Sequence, residues 1–497
     1  MKKTDIHLKN LVKMNKNLPL PLDDKTRILK EIYQNCDDVI FHPISSNNAS
    51  LLLLYISGLT DDTKIDENII RPLLKTDLLH LELDVILTHV TNVSNTKILK
   101  STLEIIDELS DGNAVLFNDT ENTAISFRIS KYEKRSIEEP QAESVVVGSR
   151  EGFIESIGTN LSMVRRKIKT PSLKMMQSES GTYSHTSIFI SYIEGIANPE
   201  IVEEVKKRLK TIDVDAILSN AAIEEAIEDT WYSPFPQVQS TERPEVVAAG
   251  LLEGRVAIFI DGTPFVLIVP VTIFTLMQSP EDYNERFING TLVRWIRYVF
   301  IIVALLAPSA YVAILTFHQE MIPTTLLLRI AQSREEIPFP AFLEALLMQI
   351  IFEVLREAGI RLPKQMGSTV SIVGTLVIGQ AAIQAGLVSA PMVMIVAITG
   401  ISSFLLPQYS ISVALRWIPF PIMFFSAVLG LVGMMLGVIL LVSHLCILRS
   451  FGVPYMAPLA PNDSSLLRDV FIRVPLKFMK KRPSLYSSYN LKRRKEG

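Results

Sequence analysis

Apolar runs long enough to cross a bilayer begin near residue 292 and recur almost to residue 448. Charged residues, by contrast, are common up to about Arg297. A helix of roughly 20 apolar residues spans a hydrocarbon core and satisfies its own backbone there. The chain therefore reads as a multi-pass α-helical membrane protein that follows a soluble N-terminal region. Its 497 residues exceed one ordinary hydrophobic core, in keeping with that division.

The first run, 292–317, starts with Arg294, Trp295, Arg297 and Tyr298, an expected interfacial collar, and Pro308 inside it predicts a kink. Further runs are expected over 368–390, 391–406 and 422–446, with Pro391 breaking one from the next and Pro419 and Pro421 ahead of the last. Arg361, Lys364 and Arg416 would then lie outside the spans or be buried. The segment 340–358 reads as an amphipathic helix. At about 100° per residue, Gln349, Glu353, Arg356 and Glu357 share one side, while Ile350, Ile351, Val354, Leu355 and Ala358 share the other. It suits an interfacial helix, or a span whose polar side meets other helices or a pore. Together these runs predict four to six helical segments over 291–448.

Small and polar residues mark the spans. Gln380 and Gln384 are four apart, as are Gly433 and Gly437, and Ala382 and Gly386. Such pairs suit close helix packing, and the glutamines also suit the wall of an ion or solute path. From Arg449 to Gly497 there are 11 Lys or Arg against 3 Asp or Glu, a net of +8, which leaves about −11 on the remaining 448 residues. A basic tail after apolar spans points to a cytoplasmic flank touching anionic lipid rather than to nucleic acid.

In the soluble half, residues 1–45 are polar and weakly patterned, an expected flexible or loosely packed arm. Strands are expected at Leu51–Ile56, within Glu82–Val90, at Ala114–Phe117 and at Ala124–Ile129, with a helix over Ile98–Leu109. The plan recurs. Tyr55 and Gly58 match Tyr192 and Gly195 in spacing, and Gly112 and Asp119 match Gly254 and Asp261. The pattern predicts a duplicated α/β unit: subdomain 1 at 46–133, a polar connector at 134–184, subdomain 2 at 185–290, and the basic tail at 449–497. Within the connector, Arg165, Arg166, Lys167 and Lys169 suit either a solvated helix or a binding patch.

Chemistry-bearing motifs are missing from the sequence. Neither phosphate-binding glycine motif follows a strand, no HExxH or G-x-S-x-G is present, and Cys36 and Cys446 have no metal-ligand or redox spacing. The first residues lack the apolar core of a secretory signal. The expectation is a non-enzyme with no cofactor and no metal.

Several segments carry a resemblance. They are EGFIESIGTNLSMVRRKIKTP, YIEGIANPEIVEEVKKRL, STERPEVVAAGLLEGRVAIFIDGTPFVLIVP, SPEDYNERF, PFPAFLEALLMQIIFEVLREAGIRLP and GSTVSIVGTLVIGQAAIQAGLVS. In order and spacing the chain resembles the A subunit of bacterial spore germinant receptors, the GerA family, from about Leu51 to Pro461. It departs at Gly148-Ser149-Arg150, where the family usually has Gly-Pro before the arginine.

The resemblance implies a receptor subunit in the inner membrane of the spore, and the basic collar and basic tail predict both termini on the cytoplasmic side. It would work beside a permease-like B subunit and a lipoprotein C subunit, and help turn nutrient binding into ion release and germination. It also implies a homo-oligomer whose helices form an ion channel. Glu353, Glu357, Gln380 and Gln384 would then be candidates for a pore wall, and Gly433 and Gly437 for helix contacts. The alternatives are a solute or ion transporter acting alone and a scaffold that conducts nothing.

Overall fold

The computed structural model describes residues 18–493 apart from 20, 47–48, 76–92, 94, 131–139, 141–142, 144, 146, 362–378, 463, 476 and 487–489. The expected strand within Glu82–Val90 and residues 368–378 of the expected span 368–390 lie outside the described residues.

Two five-stranded antiparallel sheets form the N-terminal region. In the first, β1 (Val39–Ser46), β2 (Ala49–Ile56), β3 (Thr96–Leu99), β4 (Ala114–Asn118) and β5 (Ala124–Phe127) lie in the order β1-β2-β4-β5-β3. In the second, β6 (Leu173–Ser180), β7 (Thr186–Ile193), β8 (Gln239–Thr241), β9 (Val256–Ile260) and β10 (Val266–Val269) lie in the order β6-β7-β9-β10-β8. The two orders are the same. The paired glycines also share a backbone conformation: Gly58 and Gly195 have φ of 80° and 81°, and Gly112 and Gly254 have 83° and 101°.

The run Leu51–Leu54 is apolar without alternation because its strand is covered on both faces. Leu52 and Leu54 pack under α1 (Leu22–Ile32) and α2 (Thr102–Ser110). Leu51 and Leu53 meet Ile65, Ile69 and Leu73 on the opposite face. In the second sheet, Phe189 and Ile193 face α3 (Ile157–Lys167), while Ile188 and Ile190 face α4 (Pro199–Lys210) and α5 (Asn220–Ile227). The helix α6 (Pro244–Glu253) joins α3 on its face.

Three expectations shift here. The arm 1–45 is not loose throughout, since α1 and β1 are ordered by Leu29, Ile32, Tyr33 and Val39, all buried in the first core. The helix expected from Ile98 starts at Thr102. Ser101 caps it by accepting the Glu104 N–H, and residues 96–99 pair with β5 instead. The connector 134–184 is not merely a connector: it contributes α3 and β6, the outer strand of the second sheet.

A buried clamp joins the sheets. Asp38, after β1's entry turn, takes two bonds from Arg165 of α3, at 2.7 and 2.8 Å, and both side chains are buried. Around it, Asp37 N–H donates to Met175 O, Met175 N–H to Asn35 O, Gln177 N–H to the Asp37 carboxylate, and Lys174 Nζ to Ile32 O. Lys169 pairs with Asp111. Two members of the sequence's basic cluster are therefore structural cations that fasten one sheet to the other.

The C-terminal half is helical. It comprises α7 (Phe287–Phe317), α8 (Thr324–Arg334), α9 (Ala341–Arg361), α10 (Ala390–Ser403), α11 (Tyr409–Trp417), α12 (Pro419–Ile447) and α13 (Ser464–Phe471). Among the described residues, two helical stretches, Phe287–Phe317 and Tyr409–Ile447, are long and apolar enough to cross a membrane by length and composition. Pro308 lies within α7. The second stretch is not one straight rod. Gly430 is non-helical, with φ 63° and ψ −141°, and the chain reverses there. A Cβ on Gly433 would collide with the Phe425 carbonyl, and one on Gly437 would lie 3.2 Å from Ile422 Cγ1. The segment expected as a single span over 422–446 is thus two arms of a hairpin, whose tip at Gly430 abuts Phe317 and His318 at the end of α7.

After the hairpin, the chain rejoins the second sheet. Val271 N–H donates to Ser450 Oγ, Ser450 Oγ–H to Gln237 O, Ile273 N–H to Tyr455 O, and Tyr455 O–H to Pro236 O. The N-terminal region and the basic tail therefore occupy the same end of the helices.

Candidate functional site

The charged residues of the helical half gather along α9. Its Glu344 is fully buried (0% exposed) between α9 and α10. One carboxylate oxygen accepts both the N–H and the hydroxyl of Ser389, the residue that opens α10. The other lies 3.4 Å from Arg334 Nε at the end of α8. Tyr311 of α7 reaches the same Ser389 hydroxyl at 3.2 Å. A carboxylate at a helix N-terminus meets unsatisfied N–H groups and the positive end of the dipole. Glu344 therefore joins three helices, and Ser389 ties α7 to the same junction.

Further along α9, Arg356 is buried. It pairs with Glu353 at 3.2 Å, donates to Ser403 Oγ at 2.9 Å, and stacks over Phe352 and Phe404. Glu344 meets α10 at its start and Arg356 meets it at its end, so α9 and α10 run parallel. Gln349 is buried, while Leu343, Ile350 and Val354 are exposed. The polar side of this amphipathic helix is turned toward its neighbours and much of the apolar side outward.

The expected site residues separate into three groups. Glu353 is half-buried against Arg356, and Glu357 is exposed and bonded to Arg361 at 2.7 and 2.9 Å. Each carboxylate is matched by an arginine one turn on. Gln380 and Gln384 are both exposed. Gly433 and Gly437 are buried and lie where the hairpin arms touch. Sequence reasoning missed Glu344, although a signal existed. On a helical wheel it lies about 180° from Glu353, a lone charge stranded on the apolar side.

The expected collar is also different in kind. Arg294 and Arg297 are buried, not interfacial. Asp282 binds Arg297 through both oxygens at 3.0 Å and Arg294 Nε at 3.3 Å. Arg294 also donates to Asp469 O, Trp295 Nε1 to Phe471 O at 2.7 Å, and the Tyr298 hydroxyl to Val470 O at 2.8 Å. The base of α7 thus caps the last carbonyls of α13.

A second junction links the soluble half to α11. Glu143 accepts from the Thr241 hydroxyl at 2.6 Å and from Gln408 Nε2 at 3.3 Å, while its backbone carbonyl takes Arg243. Burial pushes its carboxyl from an ordinary value near 4.5 up to about 7, against the pull of Thr241 and Arg243. The folded state therefore favours the protonated form. Its stabilising contribution is complete below about pH 4.5 and is lost as pH rises through about 7. Hydrogen exchange of the full chain should show residues 239–243 and 408–412 loosening between pH 5.5 and 8 once intrinsic rates are corrected. Glu143→Gln should abolish that dependence, and an unchanged profile would assign it elsewhere.

On the first sheet, a polar cleft of about 390 Å³ is lined by Lys97, Glu108, Asn113, Ser126 and Arg128 among others. Glu108 already accepts from Lys97, Asn113 and Ser126, so the cleft's central acid is used in tying β3 to β5. Among the described residues, no group of three or more His, Cys, Asp or Glu could hold a metal ion.

Comparison with known proteins adds to this geometry. The family model described as Bacillus/Clostridium GerA spore germination protein matches residues 27–485. The uncharacterized membrane protein YfkQ of Bacillus subtilis (strain 168) is 44% identical over 500 residues, covering 99% of this chain and 97% of that protein. Spore germination protein KA of the same organism is 47% identical over 455 residues, covering 90% of this chain and 84% of that protein. A crystal structure of the N-terminal domain of the A subunit of the Bacillus megaterium spore germinant receptor GerK3 is 35% identical. It covers 51% of this chain and 96% of that one, with a TM-score of 0.41.

Proposed function

The chain belongs to the GerA family of spore germination proteins, which makes it an A subunit of a GerA-type germinant receptor, and we propose that its helical half is the oligomeric, ion-conducting part of that receptor. The role is in germination signalling at a membrane rather than in catalysis. In this reading the helices cross the inner membrane of the spore several times, with the soluble half and the basic tail both on the cytoplasmic side. A permease-like B subunit and a lipoprotein C subunit complete the receptor. The soluble half is a duplicated α/β unit, a reading supported by the shared strand order and the paired glycine conformations. Domain limits near 46, 291 and 449 remain part of the proposal, with the second unit drawn back to include α3 and β6.

Gln380 and Gln384 carry the conduction reading. Both are exposed on a helical half whose outer surface is otherwise rich in Leu, Ile, Val and Phe. An amide facing hydrocarbon has no partner, so the pair is explained if other copies of the chain surround a polar path. Glutamine bears no charge, and Glu353 and Glu357 are each paired with arginine. Selectivity from these residues should therefore be weak. Liposomes carrying the assembled receptor should pass ions on adding nutrient, and Gln380→Leu with Gln384→Leu should cut that flux about tenfold. Undiminished flux from a folded, assembled variant would remove both from the path.

A further inference from the structure

The loop between α5 and β8, residues 228–238, carries three aromatic side chains with opposite fates. Phe235 is buried against Leu445, Leu448 and Tyr455, with its ring 6.1 Å from that of His444. Trp231 and Tyr232, by contrast, are 81% and 68% exposed. Their rings meet edge to face at 5.8 Å. Among the described residues neither indole N–H nor phenol O–H has a partner.

Three contacts fix the level of the loop. Ser233 Oγ and His444 Nε2 are 3.0 Å apart, the Asp229 carboxylate accepts from Phe451 N–H at 2.6 Å, and Pro236 O accepts from the Tyr455 hydroxyl at 2.8 Å. His444 lies in the last turn of the hairpin's second arm. The outward residues of that arm, Ile439, Leu440, Val442 and Ile447, are exposed and apolar, and Arg449 follows, also exposed. The apolar surface therefore ends at the height of Ser233, next to two free aromatic rings and a cation. That is the composition of a membrane–water boundary, where Trp and Tyr place an apolar ring in the acyl edge and a donor among the headgroups. The expected collar at the base of α7 serves this role less well, because Trp295 and Tyr298 have given their donors to carbonyls of α13.

We propose that Trp231 and Tyr232 form a lipid-headgroup anchor that seats the second sheet on the bilayer surface. The inference rests on the reading that α7 and the hairpin lie in the membrane. The anchor holds the soluble half at a set height, so that movement of the hairpin's end is carried to β8 and β9 rather than lost in a swinging domain.

The test is depth-resolved quenching in nanodiscs of phosphatidylcholine and phosphatidylglycerol, using the full chain. The chain has three tryptophans, Trp231, Trp295 and Trp417. With Trp295→Phe and Trp417→Phe, the emission of Trp231 should fall by about half with a headgroup-linked nitroxide and far less with iodide. With all three tryptophans replaced by Phe, a tryptophan introduced by Met435→Trp, at an exposed position of the hairpin's second arm about 13 Å from His444 at 1.5 Å per residue, should be quenched by deep acyl-chain labels. Failure of that second arm would sink the membrane placement itself. Success there, with Trp231 quenched by iodide alone or by neither agent, would overturn the anchor, the latter pointing to a protein partner. If the multiple-Trp variants do not insert, a spin label at Tyr232→Cys in a Cys446→Ser background gives the same decision. Oxygen should collide with it more than a nickel chelate does if it sits in lipid, and the reverse refutes the proposal.

Discussion

Replacing Asp38 by alanine should release the first sheet from the second. Asp38 and Arg165 are both buried, and each fork of the guanidinium meets one carboxylate oxygen. Removing the acid leaves an uncompensated cation in the interior, a change that costs about 3–5 kcal/mol. The loss should be local: amides of Met175 and Gln177, which bond across to Asn35 and Asp37, should exchange faster in the full chain, while Ile258 and Phe259 at the centre of the second sheet should not. The partner test is the double variant Asp38→Leu with Arg165→Met. Replacing a buried ion pair by apolar groups is often neutral, so the double variant should regain much of the protection. Unchanged exchange at Met175 and Gln177 in Asp38→Ala would show that the backbone bridge alone holds the sheets together.

This clamp shows where legibility ended. The strands Leu51–Ile56 and Ala114–Phe117 were readable because burial on both faces demands continuous apolar residues. The glycines Gly58, Gly112, Gly195 and Gly254 were readable because the left-handed turns that join these strands to helices favour glycine. The Asp38–Arg165 pair spans 127 residues, and no local pattern distinguishes a clamping arginine from a solvated one in RRK. The strand β6 was hidden for a different reason: its second half, QSES, is alternately exposed, and only Leu173–Met175 enter the core. Along α9, the pattern identified the amphipathic face yet not its direction, because a wheel gives relative angles and no outside. Glu344 was the exception to that pattern, and the one charge the bundle buries completely on α9.

The hairpin carries the other large expected effect. Gly433→Leu should prevent the arms of α12 from closing. Its side chain would have to occupy the place of the Phe425 carbonyl, which belongs to the backbone of the opposite arm and cannot rotate away. Gly430 is constrained as well: at φ 63° and ψ −141° an added Cβ would lie 2.8 Å from His318 Cε1 and 2.9 Å from Phe317 Cβ. Strain of that kind costs about 1–3 kcal/mol before any clash is counted, and overpacking adds a similar amount. Cysteines at Ile422 and Gly437, in a Cys36→Ser, Cys446→Ser background, read the geometry directly. The folded hairpin places the two positions in contact, within reach of a disulfide. A straight helix would separate them by about 22 Å at 1.5 Å per residue. Rapid oxidation within one chain is therefore the signature of the reversal, and adding Gly433→Leu should abolish it along with assembly of the receptor. Were the pair to stay reduced in the parent background, α12 would cross the bilayer once, and Gly433 would be free to face a neighbouring helix instead. In the proposed conducting role, the reversal would let a stretch otherwise read as a single span leave the bilayer on the side it entered. Only then can the outer arm return to His444 and meet the second sheet, where a change in the soluble half has a rigid path into the helices.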